Sequence, residues 1–162
     1  ALDNEPVVHI NFNEAENYCK WNKKRIPTLK EWELAAYTEF RPNNKDGYKF
    51  KKSYPYPTGE NTLGLNCLND CNFNYPSKYS KFLLRGYGHV STFSTKKGIN
   101  GLYDMGGNVW EWVDINDNSY KGIKGGSWWY GKNQMNQGYN ATKPKNMSAV
   151  YIGFRCVKDF KN

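Results

Sequence analysis

The sequence predicts an α+β domain with two helices near its start, short strands near its end and long ordered loops between them. Three observations lead there. Two segments carry the Ser/Thr/Asn-x-x-Glu signature of a helix N-terminus, and both lie before residue 37. Three runs rich in Val, Ile and Trp lie after residue 108. Between them, glycine, proline, asparagine and tyrosine dominate, with Pro42, Pro55, Pro57 and Pro76 as breaks. At 162 residues the chain reads as a single domain, 1–162, able to bury one core.

The elements follow in order. Pro6-Val-Val-His-Ile-Asn-Phe12 alternates and predicts a strand. Asn13-Glu-Ala-Glu16 predicts the start of a first helix, capped by Asn13, with Ala15, Tyr18, Cys19 and Asn22 on one face. Thr28-Leu-Lys-Glu31 is a second capping box, and Trp32, Ala35 and Ala36 predict a buried face that frays near Arg41-Pro42. Residues 38–98 read as mostly irregular, a length that calls for staples or carries function. Strands are expected around Val109–Val113, Gly122–Trp129 and Ile152–Val157.

Aromatic residues make up 17% of the chain, with 6 Trp and 13 Tyr, so the core is expected to be built on rings whose polar ends need partners. The net charge is +8, but the lysines are scattered and do not alternate with aromatic platforms, so no nucleic-acid partner is expected. No run approaches the ~20 apolar residues of a membrane span. Ala1-Leu2-Asp3 does not read as a signal peptide, which was either removed or never present. Four cysteines, at 19, 67, 71 and 156, suit an oxidising compartment: extracellular, cell-surface or virion-surface. Zinc would need four ligands, and His9 and His89 have no metal spacing to add to Cys67-x3-Cys71.

The densest chemistry is Gly101-Leu-Tyr-Asp-Met-Gly-Gly-Asn-Val-Trp-Glu-Trp112, with two carboxylates, three glycines and two tryptophans in twelve residues. It couples bent backbone and large apolar anchors with oxygen ligands. Read with Arg25-Ile-Pro-Thr-Leu-Lys-Glu-Trp-Glu-Leu-Ala-Ala36, Lys124-Gly-Gly-Ser-Trp128 and Ile152-Gly-Phe-Arg-Cys156, it resembles the formylglycine-generating-enzyme (sulfatase-modifying factor) family, a branch of the C-type lectin fold. The match runs in order from about Pro6 to Val157 and is weak between Thr38 and Ser94.

The resemblance implies two helices with small twisted antiparallel sheets. It implies a structural calcium held by Asp104, the carbonyls of Gly107 and Val109, and Glu111. Calcium takes six to eight oxygens and mixes carboxylates with carbonyls, which agrees with that set. Asp104 and Glu111 capping local backbone amides without metal is the alternative. The resemblance also implies a Cys19–Cys156 disulfide, and a short Cys67–Cys71 bridge is open. A second family calcium site would begin near Asn66, but its later ligands have no match. The family's further N-terminal portion has no counterpart before Val7, as in a trimmed chain or a minimal version of the fold.

One departure bears on function. The family's oxidases bind copper through two cysteines after Gly-Gly-Ser, and those positions fall here at Met135 and Asn140. Neither is a thiolate, and Cu(I) selects thiolates. Residues 128–151 contain no cysteine, histidine or carboxylate, so no nucleophile–base pair is present there. Copper-dependent oxidation is therefore not expected. Trp129, Tyr130, Asn133, Gln134, Asn136, Gln137, Tyr139 and Asn140 instead suit a binding surface, where rings give area at low entropic cost and amides give adaptable hydrogen bonds. An ordinary polar loop has similar composition. The segment between Gly-Gly-Ser-Trp and Gly-Phe-Arg is also where diversity-generating retroelements place the variable cassette of their target proteins. The expectation is a non-catalytic protein displaying residues 129–151 to a protein or surface glycan. The alternative is an accessory or maturation enzyme that does not use the copper pair.

Overall fold

The computed structural model describes residues 3–68, 71–72 and 88–159. Helix α1 spans Phe12–Trp21 and α2 spans Leu29–Tyr37. Strands β1 (Trp110–Val113), β2 (Tyr120–Lys124), β3 (Ala141–Pro144) and β4 (Ile152–Gly153) form one sheet in the order β3-β2-β1-β4. Short 3-10 turns cover Ile99–Gly101 and Lys132–Met135. The α+β expectation holds. The sheet is mixed rather than antiparallel: β1–β2 and β2–β3 are antiparallel, but β4 lies parallel to β1, pairing Trp110 with Ile152.

Both capping boxes form. Thr28 accepts from the Glu31 amide at 3.3 Å while Glu31 accepts from the Thr28 amide at 2.8 Å. The first box sits two residues earlier than predicted: Asn11 is the cap and Glu14 its partner, at 3.0 and 2.9 Å. Phe12, expected to end a strand, is instead the first residue of α1 and is buried. No strand covers residues 6–11, because His9 takes a left-handed φ of 59° that breaks the extended run. Tyr18, expected on the buried face, is half exposed; Phe12, Ala15 and Cys19 form that face.

Strand β1 is central, and its four residues are buried on both sides. Alternation sends Trp110 and Trp112 to one face, where they meet Phe12, Ala15 and Cys19 of α1 with Ile123 and Ile152. Val113 faces Trp32, Ala36 and Tyr37 of α2. The polar ends of Trp112 and Tyr37 find main-chain acceptors, Ile10 O at 3.0 Å and Met135 O at 3.0 Å. Strand β3 was missed because Ala-Thr-Lys-Pro lacks strand composition; it is an edge strand, where Pro144 costs no central ladder bond. Strand β4 stops at Gly153, well short of the predicted Val157.

Two disulfides staple the fold, Cys19–Cys156 across 137 positions and Cys67–Cys71 across four. On the chain-entropy model, replacing Cys19 and Cys156 with serine should remove roughly 5 kcal/mol, read by urea denaturation with Cys67–Cys71 intact. A second staple is ionic: Arg25 grips Glu31 at 2.7 and 2.6 Å and reaches Asp159 at 2.7 Å. The Arg25 guanidinium holds the Glu31 carboxyl at about 2. A carboxyl lowered on folding stabilises above its unfolded value and loses that stabilisation as pH falls through its folded value. Glu31 should therefore titrate near pH 2 in a carbon-detected NMR series, with a modest, solvent-screened loss of stability between about pH 4.5 and 2.

Candidate functional site

Two places hold the candidate functional side chains: the carboxylates of Asp104 and Glu111, and the face formed by residues 129–151.

Glu111 lies on β1, almost wholly buried. Its Oε2 accepts from Arg155 Nε at 2.5 Å and from Trp32 Nε1 at 2.7 Å, and its Oε1 accepts from Arg155 Nη2 at 2.6 Å. Burial opposes the charge on Arg155, but Glu111 and Asp104 more than offset it and raise its pKa above the ordinary value. Asp104, at a left-handed φ of 58°, accepts from Thr95 Oγ1 at 2.6 Å and the Phe93 amide at 2.9 Å. Burial pushes the Asp104 carboxyl up, and these bonds only partly pull it back.

Asp104, Val109 and Glu111 line one cavity of about 670 Å³, walled by Val7, Phe93 and Phe154. Gly107 is not among its lining residues. Its α-carbon packs against the Asn66 carbonyl so closely that a β-carbon would collide, and its φ is +70°. The residues present fit an oxygen-ligated cation in two respects. Asp104 is a carboxylate whose charged form burial disfavours, the condition a cation relieves. Glu111 Oε1 accepts one hydrogen bond, from Arg155 Nη2, and keeps a lone pair. Arg155 competes for the same carboxylate. The amide-capping alternative describes Asp104, which accepts from Phe93 N, but not Glu111, whose partners are all side chains.

The second place is largely aromatic. Trp129 packs on Trp128 at 4.7 Å and on Tyr151 at 5.9 Å. Tyr130 packs on Tyr151 at 5.7 Å and on Trp110 at 5.6 Å, and Trp110 meets Tyr139 at 6.0 Å. Trp110 and Trp128 are buried beneath; Trp129, Tyr130 and Tyr151 are half-buried, and Tyr139 is exposed. Three of the eight predicted residues thus share one cluster. Asn133 and Gln137 are exposed, Gln134 is half-buried, and none of their side chains bonds to a described residue. Asn136 and Asn140 do structural work: Asn136 Oδ1 accepts from the Gly138 amide at 3.0 Å, and Asn140 Oδ1 accepts from Lys124 at 3.2 Å. Met135 and Asn140, the positions expected from the resemblance to match the copper cysteines, differ in setting. Met135 is fully buried with its sulfur 4.0 Å from Cys71 Sγ, and Asn140 is exposed. All four cysteines are in disulfides. His89 lies 3.7 Å from Glu5.

Sequence reasoning missed Arg155, Trp32 and Lys124. A signal existed for the first: arginine occurs only at 25, 41, 85 and 155 in a lysine-rich chain, and a fork-shaped cation marks carboxylate sites.

Residues 1–160 match the domain family described as "Sulfatase-modifying factor enzyme 1-like domain". The chain belongs to this family. An "Inactive C-alpha-formylglycine-generating enzyme 2" of Bos taurus is 34% identical over 76% of the chain. The match spans 38% of that relative's length. Relatives named as formylglycine-generating enzymes also match, such as that of Thermomonospora curvata, at 28% identity over 96% of the chain and 56% of its own. Among solved structures, CarF superposes with a TM-score of 0.67 at 19% identity, covering 98% of this chain and 69% of that one. Treponema denticola variable protein 1 superposes with a TM-score of 0.61 at 19% identity, covering 93% and 70%. These two likenesses show a shared fold.

Arg155→Met should strand the Glu111 carboxylate in this family core and cost about 3–5 kcal/mol, read by urea denaturation. Adding Glu111→Gln should recover part of that loss, and a double-mutant cycle gives the coupling.

Proposed function

We propose that this domain is a non-catalytic ligand-binding or display protein whose binding face is formed by residues 129–151. The observation that carries the reading is the pairing, within one segment, of a packed aromatic cluster with uncommitted amides: Trp129, Tyr130 and Tyr139 share the stretch 129–140 with exposed Asn133 and Gln137, whose side chains bond to no described residue. Rings locked by their neighbours give contact area with little further entropy to lose, and uncommitted amides adapt to a partner. Cysteine chemistry supports the non-catalytic part, since Met135 and Asn140 stand where family oxidases carry thiolates and every cysteine is bonded. The name of the Bos taurus relative and the likeness to a variable protein are consistent with it. The ligand is a protein or surface glycan, and the paired disulfides favour an extracellular, cell-surface or virion-surface setting.

In its specific form the domain is the variable protein of a diversity-generating retroelement on a C-type lectin scaffold. A near-copy of the gene segment for residues 129–151, differing at adenines and lying beside a reverse transcriptase gene, is the expected finding; a genome without such a template removes this form. Trp129→Ala and Tyr139→Ala should each weaken capture on glycan and surface-protein arrays about tenfold or more at a temperature where melting curves show the variants still folded. The second reading, a maturation enzyme independent of the copper pair, rests on the relatives named as enzymes. Stoichiometric copper or iron in the purified protein would favour it.

Calcium belongs to the proposal as a structural ion. Asp104 and Glu111 would hold it with main-chain carbonyls of Gly107 and Val109, and it would supply charge compensation to Asp104. Millimolar calcium should raise the melting temperature over EDTA, by the equivalent of about 2.7 kcal/mol at a hundredfold excess over the dissociation constant. Asp104→Asn should abolish the gain. Equal melting in calcium and EDTA discards the ion.

A further inference from the structure

The segment that forms the binding face is held through its main chain. The Tyr130 carbonyl accepts from the Leu68 amide at 3.0 Å, and the Gln137 amide donates to Pro55 O at 2.9 Å. The Met135 carbonyl accepts from the buried Tyr37 hydroxyl at 3.0 Å. The carbonyls of Gln137 and Tyr139 both accept from Lys124 Nζ, at 3.2 and 2.7 Å. Every residue type offers a carbonyl and every type but proline an amide N–H, so, proline at 137 aside, these bonds do not depend on which side chains the segment carries. Met135 is the one fully buried side chain of residues 129–151, packed with Leu65, Cys67 and Cys71, while Tyr130, Ala141, Ala149 and Tyr151 pack on the core only in part.

Lys124 is the unusual member of this set. It ends β2, its side chain is 1% exposed, and its ammonium also reaches Glu33 of α2 at 3.0 Å and Asn140 Oδ1 at 3.2 Å. A lysine is seldom buried without a reason that outweighs desolvation. An ammonium has three protons, and four acceptors surround this one. Removing the Asn140 acceptor leaves three acceptors for three protons, with no donor stranded. Position 140 can therefore change without undoing the arrangement.

We propose that Lys124 is a main-chain clamp that fixes the course of residues 135–140 whatever side chains the exposed positions carry. Positions 133, 134, 137, 139 and 140 are then interchangeable, and Met135 is not. This rests on the reading of 129–151 as a binding face, and it names the residue that positions that face.

Amide hydrogen exchange of the intact protein tests the clamp. Lys124→Met should accelerate exchange at the amides of residues 136–141 at least tenfold while those of β1 change little. Glu33→Gln, a milder variant, should shift the same amides in the same direction. Acceleration spread evenly over segment and sheet, or no change at 136–141, overturns the proposal. A second measurement reads sequence tolerance. Libraries randomised at 133, 134, 137, 139 and 140 are built on the natural chain, on Lys124→Met and on Val113→Ala, a core variant used as a destabilised control. The protease-resistant fraction should fall at least tenfold further on Lys124→Met than on a Val113→Ala parent of matched stability; equal fractions overturn the clamp. Neither measurement uses a ligand. A failed ligand screen would count against the binding reading alone, and uniform exchange would count against the clamp alone.

Discussion

The Glu111–Arg155–Trp32 cluster is the constraint on which the fold depends. It joins the central strand, the second helix and the segment after the last strand through one carboxylate. A buried carboxylate alone is costly, so the three segments are stable only when assembled together. The geometry specifies more than it stabilises. Guanidinium and carboxylate meet in a planar two-point fork, and the indole N–H fixes the remaining direction. Glu111 points to the α2 side of β1 while Trp110 and Trp112 point to the α1 side, so one four-residue strand organises two cores. The same fork recurs in Arg25 with Glu31 and in Arg41 with the buried Glu39, the other arginines among the described residues. Lysine, Lys124 aside, mostly covers the surface, and arginine is placed where shape is required.

Much of this was legible in the residues. The capping box of α2 was readable because its signal is local: Thr28 and Glu31 bond one another's amides whatever surrounds them. The box of α1 was misplaced by two residues because Asn11 and Asn13 are equally good caps, and only the burial of Phe12 decides between them. The short parallel pairing of β4 with β1 was not legible, since register between distant strands leaves no local trace. The same holds for Lys124. Its sequence neighbours, Ile123 and Gly125, say nothing of carbonyls brought to it from residues 137 and 139. The aromatic residues of the 129–151 face were nameable from composition, but the structural duties of Asn136 and Asn140 were not, because an asparagine in a turn and an asparagine free to meet a partner look alike in a string of letters.

The two candidate sites differ in how their polar groups are committed. Around Asp104 and Glu111 the polar atoms are partnered: two oxygens of Asp104 take Thr95 and Phe93, and both oxygens of Glu111 are engaged. Such a place fixes geometry. On the 129–151 face the main chain is partnered and several side chains are not. A surface of this kind separates what must stay constant from what meets the outside, with Tyr37 and Lys124 as the boundary between the two.

The parallel docking of β4 has a consequence for biosynthesis. Strand β1 cannot acquire its second neighbour, Glu111 its counter-ion or Cys19 its partner until residues 152–156 have left the ribosome. Folding therefore completes only after the whole of 129–151 has been made, and contacts of such long sequence separation form late. Whatever occupies that segment is proofread by the residues that follow it. A frameshift or stop codon within it deletes the final strand, the arginine and the disulfide together, leaving a chain that cannot close and that quality control can discard.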